Sequence, residues 1–138
     1  MKGILLVLLS VLFLTACQSE REWSFSEIGK KDLPGDALSY FQTVKNRHGN
    51  HMFQDGDQNI VYIYLNGTKQ GEGAEYYTSF EVRAEEDTLN LLYKTEAGAG
   101  GSLKSERFYR VDGYKSYEIL RIYENGKEAV FETISLGG

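Results

Sequence analysis

Apolar and polar residues follow three different patterns along this 138-residue chain. Residues 4–14 are apolar apart from Ser10, and residues 33–45 carry apolar side chains at helical spacing. After residue 59 the chain mostly alternates with a period of two. Helical spacing predicts an amphipathic helix, and alternation predicts strands. We therefore expect a leader, one helix and a series of strands.

The predicted helix covers residues 33–45. Pro34 and Gly35 suit its first positions, and Asp36 either caps it or interacts favourably with its positive end. Its apolar residues lie on one face, which predicts packing against a sheet. That face consists of Ala37, Leu38, Phe41 and Val44.

Strands are predicted over most of the remaining chain. Residues 23–28 form a strand or an extended lead-in, and residues 53–59 form a polar loop. The other predicted strands are 59–65, 76–83, 88–95, 103–111, 115–123 and 128–136. The pairs Asp112-Gly113 and Asn125-Gly126 tolerate positive φ and predict two-residue hairpin turns.

These elements predict an α+β fold. Because the connections are too short for helical crossovers, the sheet is expected to be mainly antiparallel, a meander of about six strands. The N-terminal helix is expected to pack on one face of that sheet. An all-β sandwich is the alternative.

The leader ends in a short motif that changes the picture. Lys2 gives it a positive start, and its apolar run is shorter than the roughly 20 residues that a membrane-spanning helix needs. Leu14-Thr15-Ala16-Cys17 resembles the bacterial lipobox. This resemblance implies transfer of a diacylglyceryl group to the Cys17 sulfur and cleavage before that residue. The alternatives are an ordinary secretory signal cut after Ala16, which leaves a free thiol, and an uncleaved anchor.

The leader also fixes the predicted domain organisation. Residues 1–16 form a lipoprotein signal peptide, residues 17–22 are the lipidated cysteine and its tether, and residues 23–138 form a single domain. The protein is then expected in the cell envelope, attached to a membrane by lipid on Cys17, with its domain on the extracytoplasmic side.

Composition excludes several classes of function. The net charge is −5, with 15 basic residues scattered along the chain, so nucleic acid is not an expected partner. Cys17 is the single cysteine, which excludes an intrachain disulfide and a Cys/His metal set. We find no nucleophile–base, zinc-protease or phosphate-loop motif, and expect neither enzyme activity nor a cofactor.

A few polar residues still deserve consideration as a site. His48 and His51 are three residues apart, but two ligands rarely hold a metal. Asp55 and Asp57 begin like a calcium loop, yet that loop requires Gly at its sixth position, where Ile60 stands, and Glu at its twelfth. An enzyme with an unrecognised site would use these two histidines and two aspartates. A small-ligand carrier would need a cavity of about 300 Å³ between helix and sheet.

Tyrosine suggests an interaction surface. The chain has 10 tyrosines, and tyrosine is common at interfaces, although half-buried sheets also carry it without any partner. With the glycine-rich segments 67–73 and 98–102, the surface is predicted at Tyr62, Tyr64, Tyr76 and Tyr77. A membrane-anchored binding or accessory module with an extracytoplasmic protein partner is therefore the favoured function.

The order of features from Trp23 to about Tyr93 resembles the small secreted domain of the PrcB family, named for a subunit of a surface protease complex. The resemblance rests on a strand with Trp, Asp32-Leu33-Pro34, a helix with Tyr40-Phe41, Tyr62-Ile63-Tyr64, a glycine-rich turn and a strand that begins with Tyr. The family's turn usually reads Gly-Glu-Lys-Pro-Thr-Gly-Gly-Tyr. Here the turn is longer and lacks the proline and the Gly-Gly-Tyr. The resemblance implies an accessory or binding role and transfers no functional residue.

The lipobox gives a first testable prediction. Cys17→Ser should abolish labelled palmitate incorporation, because a hydroxyl does not replace the thiol as acyl acceptor. The variant should shift toward an unprocessed precursor or a soluble form, since two acyl chains are what make anchoring stable. Detergent-phase partitioning measures this shift. A wild-type protein that takes up no lipid and partitions into the aqueous phase would contradict the prediction.

Overall fold

A computed structural model describes residues 22–68, 74–97 and 104–137. The predicted signal peptide, Cys17 and residues 18–21 lie outside the described residues, as do 69–73 and 98–103. Strands hold 59% of the described residues and helices hold 14%. The strands are β1 Ser24–Ile28, β2 Gly49–Asp55, β3 Ile60–Asn66, β4 Glu75–Glu85, β5 Thr88–Ala97, β6 Glu106–Asp112, β7 Ile119–Glu124, β8 Lys127–Ala129 and β9 Thr133–Gly137. Helix α1 spans Gly35–Thr43, and Lys30–Asp32 and Tyr114–Ser116 form single 3₁₀ turns.

The nine strands form two sheets. The first has the order β1-β6-β3-β2-β9 and the second β4-β5-β7-β8. Two pairs are parallel, β2 with β9 and β5 with β7, and the others are antiparallel. The prediction of one six-stranded sheet in an α+β fold is wrong. The described residues fit the all-β alternative better, as a sandwich with one short helix outside it.

Strand β3 explains how the layers stack, because all its residues are buried. Val61, Ile63 and Leu65 face the second sheet, where they join a core with β4, β5 and β7. The alternate residues face α1 and form a separate cluster with it. These helix-facing residues are Ile60, Tyr62 and Tyr64. Burial on both faces produces a continuous apolar run in place of simple alternation.

Helix α1 closes the outer face of the first sheet. Ala37, Phe41 and Val44 are buried against the sheet, as their spacing predicts. The ring centroid of Phe41 lies 5.4 Å from that of Tyr64 and 6.1 Å from that of Phe108. These side chains fill the space in which a carrier would hold its ligand. No helix within the described ranges has the length and apolarity to cross a bilayer.

The meander prediction fails where the chain changes sheets. Gly113 has φ of 91° and begins a 3₁₀ turn that leads from β6 in the first sheet to β7 in the second. The predicted strand 128–136 is really β8 and β9, which belong to different sheets. Part of the predicted polar loop 53–59 belongs to β2. The turn at Asn125-Gly126 is confirmed, with φ of 52° and 83° between β7 and β8.

The two ends of the sandwich are distinct. Glu22 lies at the end where β2 turns into β3. The carbonyl oxygen of Glu22 is so close to Gly113 that a Cβ on Gly113 would overlap it. Gly113 in turn donates a hydrogen bond over 2.9 Å to the carbonyl of Asn59, which lies directly before β3. We call this the N-terminal end. The opposite, far end lies where β2 begins at Gly49 and β3 ends at Asn66. Since β3 has seven residues, about 20 Å separates the two ends.

The helix–sheet layer gives a stability prediction. Phe41→Ala should lower the free energy of unfolding by about 3–5 kcal/mol, because it leaves a cavity between α1 and β3. Gln42→Ala, on the exposed side of the same helix, is the matched control and should change it by less than about 0.5 kcal/mol. Urea unfolding of the purified protein measures both. Equal effects of the two substitutions would mean that α1 does not pack as described.

Candidate functional site

A cleft of about 630 Å³ opens between the two sheets at the far end of the sandwich. Strands β2, β4, β5, β7 and β8 and the residues next to β2 and β8 contribute to it, because their ends meet there. Its charged and aromatic lining residues are His48, Tyr77, Tyr93, Glu124, Glu128 and Glu132. We refer to this feature as the far-end cleft.

Carboxylates outnumber cations in the far-end cleft. Glu132 Oε1 lies 3.1 Å from Arg47 Nη2, and Glu128 Oε1 lies 3.6 Å from Arg121 Nε. Both pairs are substantially exposed, so solvent screens them. Glu124 forms no ion pair with any described residue. The cleft therefore carries surplus negative charge.

A further acid–base pair lies beside the cleft. The His48 Nε2 atom is 3.4 Å from Glu75 Oε1. That nitrogen is buried and has no hydrogen-bond partner in the described part of the chain. His48 therefore faces the carboxylate of Glu75 at the cleft wall, but the two side chains do not form a well-aligned hydrogen bond.

Two tyrosines form the inner wall of the cleft. Tyr77 and Tyr93 meet edge to face with ring centroids 5.8 Å apart, and Asn50 Nδ2 donates to the Tyr93 hydroxyl over 3.1 Å. Burial raises the pKa of Tyr93 to about 12, and the nearby carboxylate of Glu124 also raises it. Burial also raises the pKa of Tyr77, and the neighbouring Tyr93 and Glu75 raise it further. Both hydroxyls therefore stay protonated at physiological pH.

This arrangement suits a cation. Surplus carboxylate attracts positive charge. Val130 is 82% exposed at the rim and offers an apolar surface beside the acids. The described residues bring together no group of three His, Cys, Asp or Glu side chains that could hold a metal ion.

The predicted tyrosine surface is spread over different environments. Tyr62 and Tyr64 are 4% and 2% exposed beneath α1, and the Tyr64 hydroxyl donates to Glu106 Oε1 over 2.8 Å. Tyr76 is half-buried at the start of β4. Of the four, Tyr77 alone lines the far-end cleft.

The glycine-rich segments predicted as binding loops lie mostly outside the described residues. They include 69–73 and 98–102. The strands that flank them, β3 and β4 for the first and β5 for the second, end or begin at the far end. Cys17 is also outside the described residues.

The two histidines and two aspartates do not form one site. His51 is fully buried; its Nε2 donates to the Arg47 carbonyl and its Nδ1 accepts from the Thr133 hydroxyl, both over 2.8 Å. His48 is instead at the cleft wall. Asp55 accepts a hydrogen bond from the Gln58 amide at the N-terminal end, and Asp57 is exposed in the same turn. His51 is therefore satisfied within the fold.

Sequence reasoning missed the acidic residues of the cleft. Glu124, Glu128 and Glu132 recur every four residues around the Asn125-Gly126 turn, which is the one signal that the sequence contains. Tyr93 is remote from them in sequence. Their meeting depends on the parallel pairing of β5 with β7, which alternation does not reveal.

Comparisons with known proteins yield no match: no family model, no curated protein and no solved structure matches this chain.

His51 gives a pH prediction. Burial lowers its pKa from 6.5, so below that pH the unfolded chain binds a proton that the folded protein does not. The free energy of unfolding should therefore fall as the pH drops below about 6.5, before carboxylates titrate. His51→Gln should have a shallower dependence over this interval, with chemical denaturation at each pH as the measurement. The two proteins are compared by the slope of the free energy of unfolding against pH, so the pH-independent cost of the hydrogen bonds that the substitution removes does not enter. Identical slopes would contradict the prediction.

Proposed function

We propose that this chain is a lipid-anchored binding module of the bacterial cell envelope, which recognises a cationic side chain of an extracytoplasmic protein partner in the far-end cleft. The observation that carries the proposal is the surplus of carboxylates beside the neutral hydroxyls of Tyr77 and Tyr93. Enzyme activity is not part of the proposal.

The position of the cleft relative to the chain's attachment supports this function. The lipobox predicts the anchor at Cys17, and Glu22 lies at the N-terminal end of the sandwich. Five residues extend at most about 18 Å. The anchor therefore holds the N-terminal end near the membrane, and the cleft opens at the opposite end, toward partners in the envelope.

The shape of the cleft supports a lysine or arginine side chain in particular. Its volume falls in the range of about 300–1,000 Å³ that ligand sites occupy. These side chains combine a charged head with an apolar stem. The head would lie among Glu124 and its neighbours, and the stem against Ala129 and Val130. The net charge of −5 also favours association with a basic partner.

An accessory role in a surface complex is compatible with this proposal. The PrcB resemblance over Trp23–Tyr93 implies such a role and stays a prediction. It would place the partner among the other subunits of an extracytoplasmic complex.

Neutralising the cleft should weaken partner capture. We expect Glu124→Gln combined with Glu132→Gln to reduce the affinity by roughly tenfold, equivalent to about 1.4 kcal/mol. Glu124 has no ion pair with a described residue, and the Glu132 pair with Arg47 is exposed and screened by solvent, so the two substitutions act mainly on the charge of the cleft. Crosslinking on intact cells followed by pull-down identifies the partner, and titration of the purified pair measures the affinity.

The matched control removes the same charge elsewhere. Asp57→Asn combined with Glu118→Gln alters exposed positions at the N-terminal end and should leave the affinity unchanged. Equal affinities of the two double variants for the partner would contradict the proposal that the far-end cleft is the binding surface. Capture of no partner above the Cys17→Ser background would count against a binding module altogether.

A further inference from the structure

Four strands lie at the ends of the two sheets, β1, β4, β8 and β9, and each has one edge with which no described strand pairs. Proteins usually protect such edges from other chains by charges, irregularities or short length. Three of the four are protected in this way. Strand β1 carries Glu27, which lies 2.8 Å from Arg107. Strand β4 has several charged residues and a register shift between Tyr77 and Ser79, and β8 has three residues, two of them charged.

Strand β9 has none of these protections. Its sequence, Thr-Ile-Ser-Leu-Gly, contains no charge and no proline, and its pairing with β2 has no register shift. Ile134 is 53% exposed and Leu136 is 76% exposed, on the side of the strand where Met52 of β2 faces the second sheet. Together with Val130, they are three of the five large apolar side chains that are exposed in the described part of the chain. A regular, uncharged and apolar edge is a template for one more strand.

The free edge of β9 leads into the far-end cleft. Because β9 is parallel to β2, which begins at the far end, its first residue Thr133 lies at that end and directly follows the cleft residue Glu132. Glu132, Ile134 and Leu136 are spaced two residues apart, the period at which side chains of an extended chain share a side. A strand added beside β9 would therefore place alternate side chains next to these three residues in turn.

The charges at the far end of this edge determine what the added strand carries. Glu132 lines the cleft together with Glu124 and Glu128, where carboxylates outnumber cations. Directly opposed side chains on neighbouring strands are favourable when their charges are opposite or when both are apolar. A basic residue is thus favoured beside Glu132, and apolar residues two and four positions away from it are favoured beside Ile134 and Leu136.

A second copy of this chain fits the edge less well. Strand β9 runs from the far end toward the N-terminal end, so two copies joined by antiparallel β9 strands would have their far ends in opposite directions. The anchor predicted at Cys17 would then hold one copy with its N-terminal end away from the membrane. Strand β9 also contains no basic residue that would lie beside Glu132 of the other copy. These observations favour a segment of a different protein.

We propose that the partner adds an extended segment to the free edge of β9, and that this segment carries a basic residue with apolar residues at the second and fourth positions from it. The basic side chain lies beside Glu132 in the far-end cleft, and the apolar side chains contact Ile134 and Leu136. Alternate backbone groups of β9 point away from β2 and form the hydrogen bonds with the segment. This inference rests on the proposed function, because the cationic side chain bound in the cleft is one end of the segment.

The test selects random short peptides displayed on phage against the purified full chain in a zwitterionic detergent. We expect the enriched peptides to share a basic residue and alternate apolar residues, in either direction along the peptide. The most enriched sequence is then synthesised and its affinity is measured by titration. Hydrogen exchange followed by NMR should show that this peptide slows the exchange of those β9 amides that do not bond to β2.

Ile134→Glu combined with Leu136→Glu tests the edge itself. This double variant should weaken peptide binding at least tenfold, because charged side chains on an edge strand oppose the addition of another strand. Two added carboxylates would strengthen the binding of a basic peptide if charge alone mattered, so charge cannot account for the loss. Ile119→Glu, at an exposed apolar position of the other sheet, is the control and should keep full affinity. If the double variant fails to fold, Leu136→Glu decides the question by itself.

Four results would overturn the proposal. They are the absence of any selected peptide that binds in solution, unchanged affinity in the double variant of Ile134 and Leu136, unchanged exchange of the β9 amides, and a dimer of the free chain that this double variant dissociates. The last result would assign the edge to a second copy.

The double variant of Glu124 and Glu132 tests the proposed function separately. It should weaken binding of the selected peptide, because the basic residue then loses its carboxylates. If it keeps full affinity while the double variant of Ile134 and Leu136 loses binding, the cleft is not the cation site and strand addition at β9 stands. If only the cleft variant loses binding, strand addition at β9 is wrong and the proposed function stands.

Discussion

Burial of β3 on both faces is the constraint on which the other layers depend. Its residues Val61, Ile63 and Leu65 require a second sheet on one side, and Tyr62 and Tyr64 require a cover on the other. A helix of nine residues is too short to be stable alone and forms because its apolar face covers those tyrosines. The second sheet in turn holds a core of Leu and Ile from β5 and β7 against β3. Removing either layer would expose apolar side chains of the same central strand.

Local pattern was enough to locate much of the secondary structure. Alternation located β1, β4 and β5 to within a few residues, helical spacing located α1, and the chemistry of Asn125-Gly126 located a hairpin turn. The unbroken apolar run of β3 also carried information. A strand that is apolar on both faces signals two covering layers, and that signal favours a sandwich over a single sheet.

Strand partners were not predictable in the same way. Alternation indicates which side chains share a face, but it does not indicate which sheet the strand joins. Asp112-Gly113 looks like a hairpin turn, yet Gly113 is required there because its backbone contacts the Glu22 carbonyl and adopts positive φ. The sequence also gives no sign of the break between β8 and β9, because apolar and polar residues alternate on both sides of it. The far-end cleft depends on these sheet changes, and its glutamates therefore could not be assigned from sequence.

Once α1 covers the outer face of the first sheet, the surfaces left for recognition are restricted. The N-terminal end is where the chain leads back toward the predicted anchor, so the proposed partner would approach from the far end or from the side. No described helix covers the outer face of the second sheet, and its side chains differ accordingly from those of β3. Where β3 places Tyr62 and Tyr64 under a helix, β5 places Asn90 and Leu92 on a face that no described helix covers. The Oδ1 atom of Asn90 is buried there without a hydrogen-bond partner among the described residues, which costs stability. With α1 over the first sheet, polar side chains such as Asn90 lie on the other outer face of the sandwich.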